Sequence, residues 1–318
     1  MPTKLNKNDR ELLVALAEYR LLTVRQIAAL CGIGKAAARN RVGKLTNAGL
    51  TTQRTPGMAQ GRGRPERWVS LADRGIDLLR SDGTLGKNVP RDQVAADGIR
   101  CAEHLLAINW FRIHLVHVER VVPGLKATFL SSTSPFLERG HDGRPLVSDT
   151  IPTNDADGDP LRFTPDGVFS LGDQETGKML LFFLEVDQGT ETLASGRRGA
   201  KDIRQKVITY QRYFRHASYK RYQDLWGSTL NGFRLLFLAH TPGRLTAICR
   251  LIREASPSDF VWLTDQDRMS AQGVAADIWA RGGKLDAPQE SIVGPTMSRV
   301  APLSSSRRED PSQSEARS

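Results

Sequence analysis

Acidic side chains near the ends of two apolar segments are the feature of this sequence with the clearest chemical meaning. Asp166 begins one segment, while Glu185 and Asp187 end the apolar run that starts at Met179. If the two segments are neighbouring strands of a hairpin, Asp166 and Glu185 converge, and Asp187 leaves the same sheet face as Glu185. Three hard oxygen ligands at one place predict a Mg²⁺ or Mn²⁺ site. Such an ion activates water and stabilises charge on a phosphodiester.

The order of predicted elements would bring these acids together. After residue 94 the hydrophobic pattern predicts helices over 97–120, 195–216, 245–254 and 270–280, and strands over 126–131, 166–171, 179–186, 232–240 and 260–263. The continuous apolar run over 179–186 is typical of a strand that is buried on both faces. The order α-β-β-β-α-β-α-β predicts an α/β domain in which helices flank a mixed sheet.

The positive charge of the chain is concentrated near its beginning. The 318 residues include 45 Lys+Arg and 35 Asp+Glu, a net charge of +10. Residues 1–90 have 16 basic and 7 acidic side chains, whereas the remaining 228 residues have 29 and 28. This asymmetry indicates an N-terminal module that faces nucleic acid and is joined to a nearly neutral second domain.

Several features predict a cytoplasmic protein without membrane contact. The longest apolar run, Met179 to Leu184, is far shorter than the ~20 residues that span a membrane. The first twelve residues lack the apolar segment of a secretory signal. The three cysteines, Cys31, Cys101 and Cys249, have neither the spacing of a zinc finger nor that of a disulfide framework, which favours a reducing cytosol.

The first module has the pattern of a winged helix-turn-helix. Helices are predicted over 8–19, 24–30 and 35–48, followed by a strand pair over 50–54 and 67–71 and a short helix over 71–79. Thr23 and Gln26 form the sequence of a capping box at the second helix. On the third helix, four polar side chains lie outside the apolar stripe and are predicted to reach a DNA major groove: Lys35, Arg39, Asn40 and Lys44.

The loop between the two strands forms the predicted wing. Arg62 and Arg64, separated by one glycine, are predicted to lie in a narrow minor groove. Two alternatives stay open: the loop could be a solvated turn, and helix-turn-helix units also serve as protein-interaction modules. We expect the module to occupy residues 1–80, a linker 81–93, the second domain 94–284, and a disordered tail 285–318.

The order of elements in the second domain, with Pro165-Asp166 and Glu185-x-Asp187, resembles the PD-(D/E)xK nuclease fold of restriction endonucleases. The segments 164–167 and 183–191, followed by Lys206 and Tyr210, are more specifically similar to the plasmid replication-relaxation family. The resemblance covers roughly residues 8–280. It implies a winged helix followed by a nuclease-like domain, a relation to MobC-type relaxases, and a role in plasmid replication or in origin nicking for mobilisation.

The sequence departs from the nuclease pattern at one position. A site of this type has a lysine two places after the acid, where this chain has Asp187. That lysine orients the attacking water and offsets transition-state charge. On the following helix, Lys206 lies about 60° from the centre of the inward face, and Tyr210 is its i+4 neighbour. We therefore expect Lys206 to assist the water, and Tyr210 to orient Lys206 or bind phosphate.

A second basic surface follows the acids. Five basic residues form one stripe of the predicted helix, away from its inward face: Arg197, Lys201, Arg204, Arg212 and Arg215. Aromatic residues follow at 213, 219, 222 and 226, a composition suited to DNA backbone and stacked single-strand bases. The alternative is a solvated helix face with the aromatic rings in the core.

These observations favour a DNA-binding protein of plasmid or mobile-element replication or mobilisation. Duplex DNA, single-stranded DNA at an origin, a second copy of the chain and other replication or mobilisation proteins are the expected partners. In this hypothesis Asp166 and Glu185 bind metal, and Asp187 binds or supports it. A non-catalytic replication or transcription regulator with a degenerate nuclease-like domain is the alternative, and a scaffold that binds no DNA is a third.

Overall fold

The computed structural model describes residues 5–55, 66–139, 143–151, 161–195, 202–294 and 303. It is a mixed α/β structure, in which N-terminal helices with a small sheet precede a six-stranded mixed sheet. In the described part of the chain, no helix is long and apolar enough to cross a membrane.

The N-terminal unit packs four helices against a three-stranded antiparallel sheet of order β1-β3-β2. Its elements are α1 (Lys7–Tyr19), β1 (Leu22–Thr23), α2 (Val24–Cys31), α3 (Lys35–Asn47), β2 (Thr51–Arg54), β3 (Trp68–Leu71) and α4 (Asp73–Ser81). The capping box of Thr23 and Gln26 is present at α2, as the sequence predicts. The short strand β1 was not predicted from the sequence, because two residues are too few to show an alternating pattern.

The six-stranded sheet has the order β11-β10-β9-β8-β7-β4. Its strands are β4 (Leu125–Ser131), β7 (Gly167–Asp173), β8 (Met179–Asp187), β9 (Arg234–Ala239), β10 (Val261–Asp265) and β11 (Ala280–Arg281). Strands β4, β7 and β8 pair antiparallel, β8, β9 and β10 pair parallel, and β11 is an antiparallel edge strand. The helices are α5 (Ala102–Val121), α6 (Ile203–Arg215), α7 (Arg221–Trp226), α8 (Pro242–Glu254) and α9 (Gln266–Gln272).

Two hydrophobic layers cover the sheet. Phe183 and Phe237 face α6 and α8 on one side, and Phe182 and Leu184 face α5 on the other. The alternation along β8 follows from the two-residue repeat of a strand, and burial of both faces explains its continuous apolar sequence. A separate hairpin of β5 (Asp149–Ile151) and β6 (Leu161–Phe163) lies beside α6 and was absent from the sequence prediction.

Two predicted segments near the C-terminus are wrong in extent. The helix expected over 270–280 is instead α9, which begins after Asp265, because the Asp265 side chain accepts a hydrogen bond from the Arg268 backbone N–H at 2.9 Å. Part of the expected tail is ordered, since Ile292 is fully buried against Trp279 and its neighbours. The predicted domain boundaries themselves stay predictions.

Helix α5 joins the N-terminal unit to the sheet. The buried Asn109 side chain donates hydrogen bonds to the carbonyl oxygens of Tyr19 at 3.0 Å and Leu21 at 2.7 Å, next to the end of α1. Gln26 in α2 donates to the carbonyl of Leu106 at 2.8 Å. The Tyr19 carbonyl also accepts the Leu21 backbone N–H at 2.7 Å. Together, the Asn109 and Gln26 side chains fix the position of α5 against α1 and α2.

Replacing Asn109 tests this connection. Asn109→Ala removes two buried hydrogen bonds, to the carbonyls of Tyr19 and Leu21, so the free energy of unfolding should fall by about 1–3 kcal/mol. Urea denaturation of the full chain measures this loss. The matched control is Asn231→Ala, because Asn231 is exposed in the loop before β9. Equal stability of the two variants would contradict the role given to Asn109.

Candidate functional site

The strand register places Asp166 opposite Glu185. Gly167 pairs with Leu184 in the β7–β8 ladder, and the Asp166 backbone N–H donates to the Leu184 carbonyl at 3.1 Å. In this antiparallel ladder Asp166, which precedes Gly167, and Glu185, which follows Leu184, are therefore neighbours on one sheet face. The sequence hypothesis that the two acids converge rests on this hairpin, which the structure contains.

Asp166 is held by two donors. The Val186 backbone N–H donates to its Oδ2 atom at 2.7 Å, and Nε2 of His104 in α5 lies 3.1 Å from the same oxygen. The same nitrogen lies 3.0 Å from the Val186 carbonyl, so both neighbours are acceptors and Nε2 carries the proton. Burial lowers the His104 pKa, but the hydrogen bond and charge of Asp166 outweigh it and raise the pKa above its usual value.

Glu185 is a buried carboxylate with two partners on α6. Its Oε1 atom accepts a hydrogen bond from the Tyr210 hydroxyl at 2.7 Å, and its Oε2 atom lies 3.0 Å from Lys206 Nζ. Burial raises the Glu185 pKa to about 7; the Asp166 charge adds to this, while Lys206 and Tyr210 oppose it. The structure thus brings Asp166, Glu185, Lys206 and Tyr210 to one pocket.

Lys206 has a second carboxylate partner that the sequence analysis gave no role. Its Nζ atom lies 2.8 Å from Glu191 Oε1. Burial alone would lower the Lys206 pKa, but the charges of Glu185 and Glu191 raise it above its usual value. Glu191 lies in the turn that follows β8, where an acid has no helical or strand periodicity to mark it, so no local pattern predicts this contact.

Asp187 has a different environment from the other two acids. Its carboxylate forms a two-point ion pair with Arg244 in α8, at 2.7 and 3.0 Å, and accepts the Gly189 N–H at 3.1 Å. Arg244 also donates to the Glu191 carbonyl. The sequence prediction missed Arg244, although Thr241 and Pro242 mark the start of its helix.

A pocket of about 770 Å³ contains the reactive side chains, and its described lining does not include Asp187. The lining residues that matter for chemistry are Asp166, Glu185, Lys206 and Tyr210, with the ring of Phe163 beside them. Three arginines also line the pocket: Arg144, Arg162 and Arg212. The pocket therefore combines a recessed cluster of acids with positive charge, a combination suited to a phosphate-bearing ligand.

Asp149 is a further buried acid at the pocket wall. It accepts a hydrogen bond from the Tyr213 hydroxyl at 2.9 Å and pairs with Arg221 at 2.8 Å. Burial raises the Asp149 pKa to about 6, although Arg221 and the tyrosine hydroxyls oppose the shift. This cluster ties β5 to α6 and α7, and so supports the wall of the pocket.

The predicted DNA-binding residues differ in their environments. Lys35, Arg39 and Asn40 are exposed on α3. Lys44 Nζ lies 2.6 Å from the buried Asp9 carboxylate, so it also has a structural role in the N-terminal unit. Arg204 is half-exposed and lies 3.5 Å from Glu254. Four further predicted residues, Arg62, Arg64, Arg197 and Lys201, lie outside the described residues.

The aromatic residues after the second basic surface are mostly in the core. Tyr213, Tyr219 and Tyr222 are at most 5% exposed and pack around Phe183 and Phe233. They are not free to stack on bases, because a stacking ring needs an open face. The structure thus supports the alternative that the sequence left open for these rings, while Arg212 and Arg215 remain exposed.

A divalent metal fits part of the predicted ligand set. Among the described residues, no group of three or more His, Cys, Asp or Glu side chains has the arrangement of a metal site. Arg244 engages Asp187, which leaves Asp166 and Glu185 at the pocket. Mg²⁺ is commonly bound through one or two carboxylates with several waters. The charges of Glu185, Glu191 and Asp166 all act on the one amine of Lys206, and carboxylate oxygens are the ligands that such a divalent ion takes.

A comparison with protein families gives a match over most of the chain. Residues 13–228, about two thirds of the chain, match the family described as Replication-relaxation. The chain therefore belongs to the replication-relaxation family, and this membership suggests a protein associated with plasmid replication. No curated protein matches the chain, and no solved structure does.

The ion pair of Glu185 and Lys206 makes a stability prediction. Lys206→Met leaves a buried carboxylate without its cation, so the free energy of unfolding should fall by roughly 2–4 kcal/mol. Adding Glu185→Gln should recover most of this loss, because the unpaired charge is then gone. Chemical denaturation at neutral pH measures both variants.

The control for this pair is Lys126→Met. Lys126 lies 2.6 Å from Glu119, but its side chain is 60% exposed, so its removal should cost less than about 1 kcal/mol. If Lys206→Met lowers the free energy of unfolding no more than Lys126→Met does, the Lys206 amine is not needed to stabilise the buried Glu185 carboxylate.

Proposed function

We propose that this protein binds DNA in plasmid replication or mobilisation and that its pocket nicks DNA with the help of Mg²⁺ or Mn²⁺. The observation that carries the proposal is the shared pocket of Asp166, Glu185, Lys206 and Tyr210, with arginines in its lining. Acids that can bind a metal, an amine beside them and arginines for phosphate are the groups that phosphodiester hydrolysis requires.

Each residue of the pocket has a role in the proposed reaction. Asp166 and Glu185 hold the metal ion, and the chemistry that the bound ion supplies is activation of a water and neutralisation of phosphate charge. Tyr210 fixes the orientation of the Glu185 carboxylate through its hydrogen bond. Lys206 places a positive charge next to the reacting phosphate. Arg162 and Arg212 are exposed and bind the flanking phosphates.

Asp187 supports this site from outside the pocket. Its ion pair with Arg244 fixes the end of β8 and therefore the position of Glu185, two residues earlier. The nuclease pattern has a lysine two positions after the acid. In this chain the Lys206 amine reaches Glu185 from α6 instead. The order α5-β4-β7-β8-α6-β9 agrees with the proposed relation to PD-(D/E)xK nucleases, and through the family to MobC-type relaxases.

The N-terminal unit is proposed to be a winged helix that grips duplex DNA. Three helices, followed by the β2–β3 hairpin and completed by β1, have the element order that such a module needs. The exposed basic side chains of α3 then enter the major groove. Single-stranded origin DNA at the pocket, a second copy of the chain and other replication or mobilisation proteins complete the proposed set of partners.

A second candidate function is a DNA-binding regulator without catalysis. The observation that favours it is that every acid of the site already has a partner: His104 for Asp166, Lys206 for Glu185 and Arg244 for Asp187. Ion pairs of this kind also occur in purely structural networks. The nicking experiment separates the two functions.

Nicking of supercoiled plasmid that contains the cognate origin tests the proposal. Asp166→Asn and Glu185→Gln should lower the Mg²⁺- or Mn²⁺-dependent rate by about 100-fold or more, because each removes a charged ligand. DNA affinity should stay unchanged. Glu254→Gln is the control, since Glu254 is an exposed acid paired with Arg204. Absence of nicking by the unaltered protein with either metal would favour the regulator.

Duplex binding tests the role of α3. Lys35→Ala and Arg39→Ala should each weaken binding and reduce the slope of log K against log salt by about 0.9, the value for one lost phosphate contact. Fluorescence anisotropy over a range of salt concentrations measures both. Lys87→Ala is the control, because Lys87 is an exposed lysine outside the proposed DNA-binding helix. Slopes equal to that of the control would contradict the assignment of α3.

A further inference from the structure

The Lys206 amine lies between two carboxylates rather than beside one. Its Nζ atom is 3.0 Å from Glu185 Oε2 and 2.8 Å from Glu191 Oε1. Glu185 is buried and lines the pocket, whereas Glu191 is about one third exposed and lies after the end of β8. The amine is thus shared by an acid in the site and an acid next to it.

Arg244 determines where Glu191 lies. Its guanidinium binds the Asp187 carboxylate at two points and the Glu191 carbonyl, so one side chain joins both ends of the 187–191 turn. Asp187 also accepts the Gly189 backbone N–H, which closes the turn further. Because the turn is fixed at both ends, the Glu191 carboxylate is positioned towards Lys206. Its second oxygen, Oε2, is buried and accepts no hydrogen bond from the residues that the structure describes.

A cation at Asp166 and Glu185 has to compete with this amine. Tyr210 already binds Glu185 Oε1, and Lys206 binds Oε2. The positive charge of the amine beside Oε2 repels an incoming metal ion, so binding of the ion is favoured when the amine moves away from that oxygen. The buried Oε2 oxygen of Glu191, which has no partner among the described residues, is an acceptor that the moving amine can use.

We propose that Glu191 is the partner to which Lys206 retreats when a divalent cation binds Asp166 and Glu185. This inference rests on the proposed metal site. The amine exchanges an ion pair with Glu185 for a full ion pair with Glu191, and it stays within the pocket beside the reacting phosphate. Arg244 and Asp187 are positioning residues, because they hold Glu191 in place without touching substrate.

Binding of Mn²⁺ alone tests the exchange in a double-mutant cycle. The four proteins are the unaltered chain, Glu191→Gln, Lys206→Met and the double variant, and calorimetry gives each affinity. Glu191→Gln should weaken Mn²⁺ binding roughly tenfold when Lys206 is present, because the amine then stays on Glu185. In the Lys206→Met background the same change should have little effect. Glu254→Gln is the matched control for loss of a carboxylate near α6.

The cycle distinguishes the exchange from simple attraction. If Glu191 acts only through its charge, its removal weakens Mn²⁺ binding equally in both backgrounds, and the exchange is excluded. If the unaltered chain binds no Mn²⁺, the proposed metal site fails and the exchange fails with it. If the chain binds Mn²⁺ but the effects of Glu191→Gln and Lys206→Met are additive, the exchange is excluded while the proposed function stands.

Acylation of lysines without metal gives a second measurement. Glu185→Gln mimics a Glu185 whose charge a cation has neutralised, and mass spectrometry follows the modification of Lys206. The amine should stay as protected as in the unaltered chain, because Glu191 holds it. Adding Glu191→Gln should then raise the rate roughly tenfold. If Glu185→Gln alone raises the acylation rate of Lys206 as much as the double variant does, Glu191 does not hold the amine when Glu185 is neutral, and the proposed exchange is excluded.

Discussion

Burial of the Glu185 carboxylate at the end of β8 is the constraint on which the rest of the site depends. A buried carboxylate is costly unless donors and a cation surround it. The Tyr210 hydroxyl and the Lys206 amine meet this requirement, and both come from α6 at i and i+4 spacing. Burial of this acid is therefore matched by two polar side chains of α6, while the apolar side chains of the same helix pack on the sheet. The same burial raises the pKa of Glu185 to about 7, so a cation that binds there also stabilises its charged form.

Helix α5 connects this site to the N-terminal unit. Its first turn brings His104 to Asp166, and its middle brings Asn109 to the carbonyls beside the end of α1. The apolar face of α5 contacts the sheet through Phe111, while Ile113 on another face belongs to the core of the N-terminal unit. One helix thus contributes to both hydrophobic cores and to the acidic site. The proposed function, in which one part grips DNA and another acts on it, requires a connection of this kind.

Much of the secondary structure could be predicted, because it depends on local patterns. The residues that form the apolar run of β8 are contiguous in sequence, and the two residues of the α2 capping box are three positions apart. The candidate acids also followed from sequence, since strand ends are visible where an apolar run meets polar residues. The hairpin of β5 and β6 and the short strand β1 were missed, because they are too short to show a period. The assignment of Asp187 to the metal was the weakest step, since a strand pattern gives the sheet face but not the partner.

The sequence by itself determined which residues could carry charge at the ends of β7 and β8 and which helix could offer them an amine. Only the tertiary structure decided how those charges are paired. Asp166 meets His104 across 62 positions, Asp187 meets Arg244 across 57, and Lys206 meets Glu191 across 15. Local periodicity holds no information on such contacts, because they arise when separate elements pack on one sheet edge. Each buried charge then pairs with the counter-charge that the packing brings within reach.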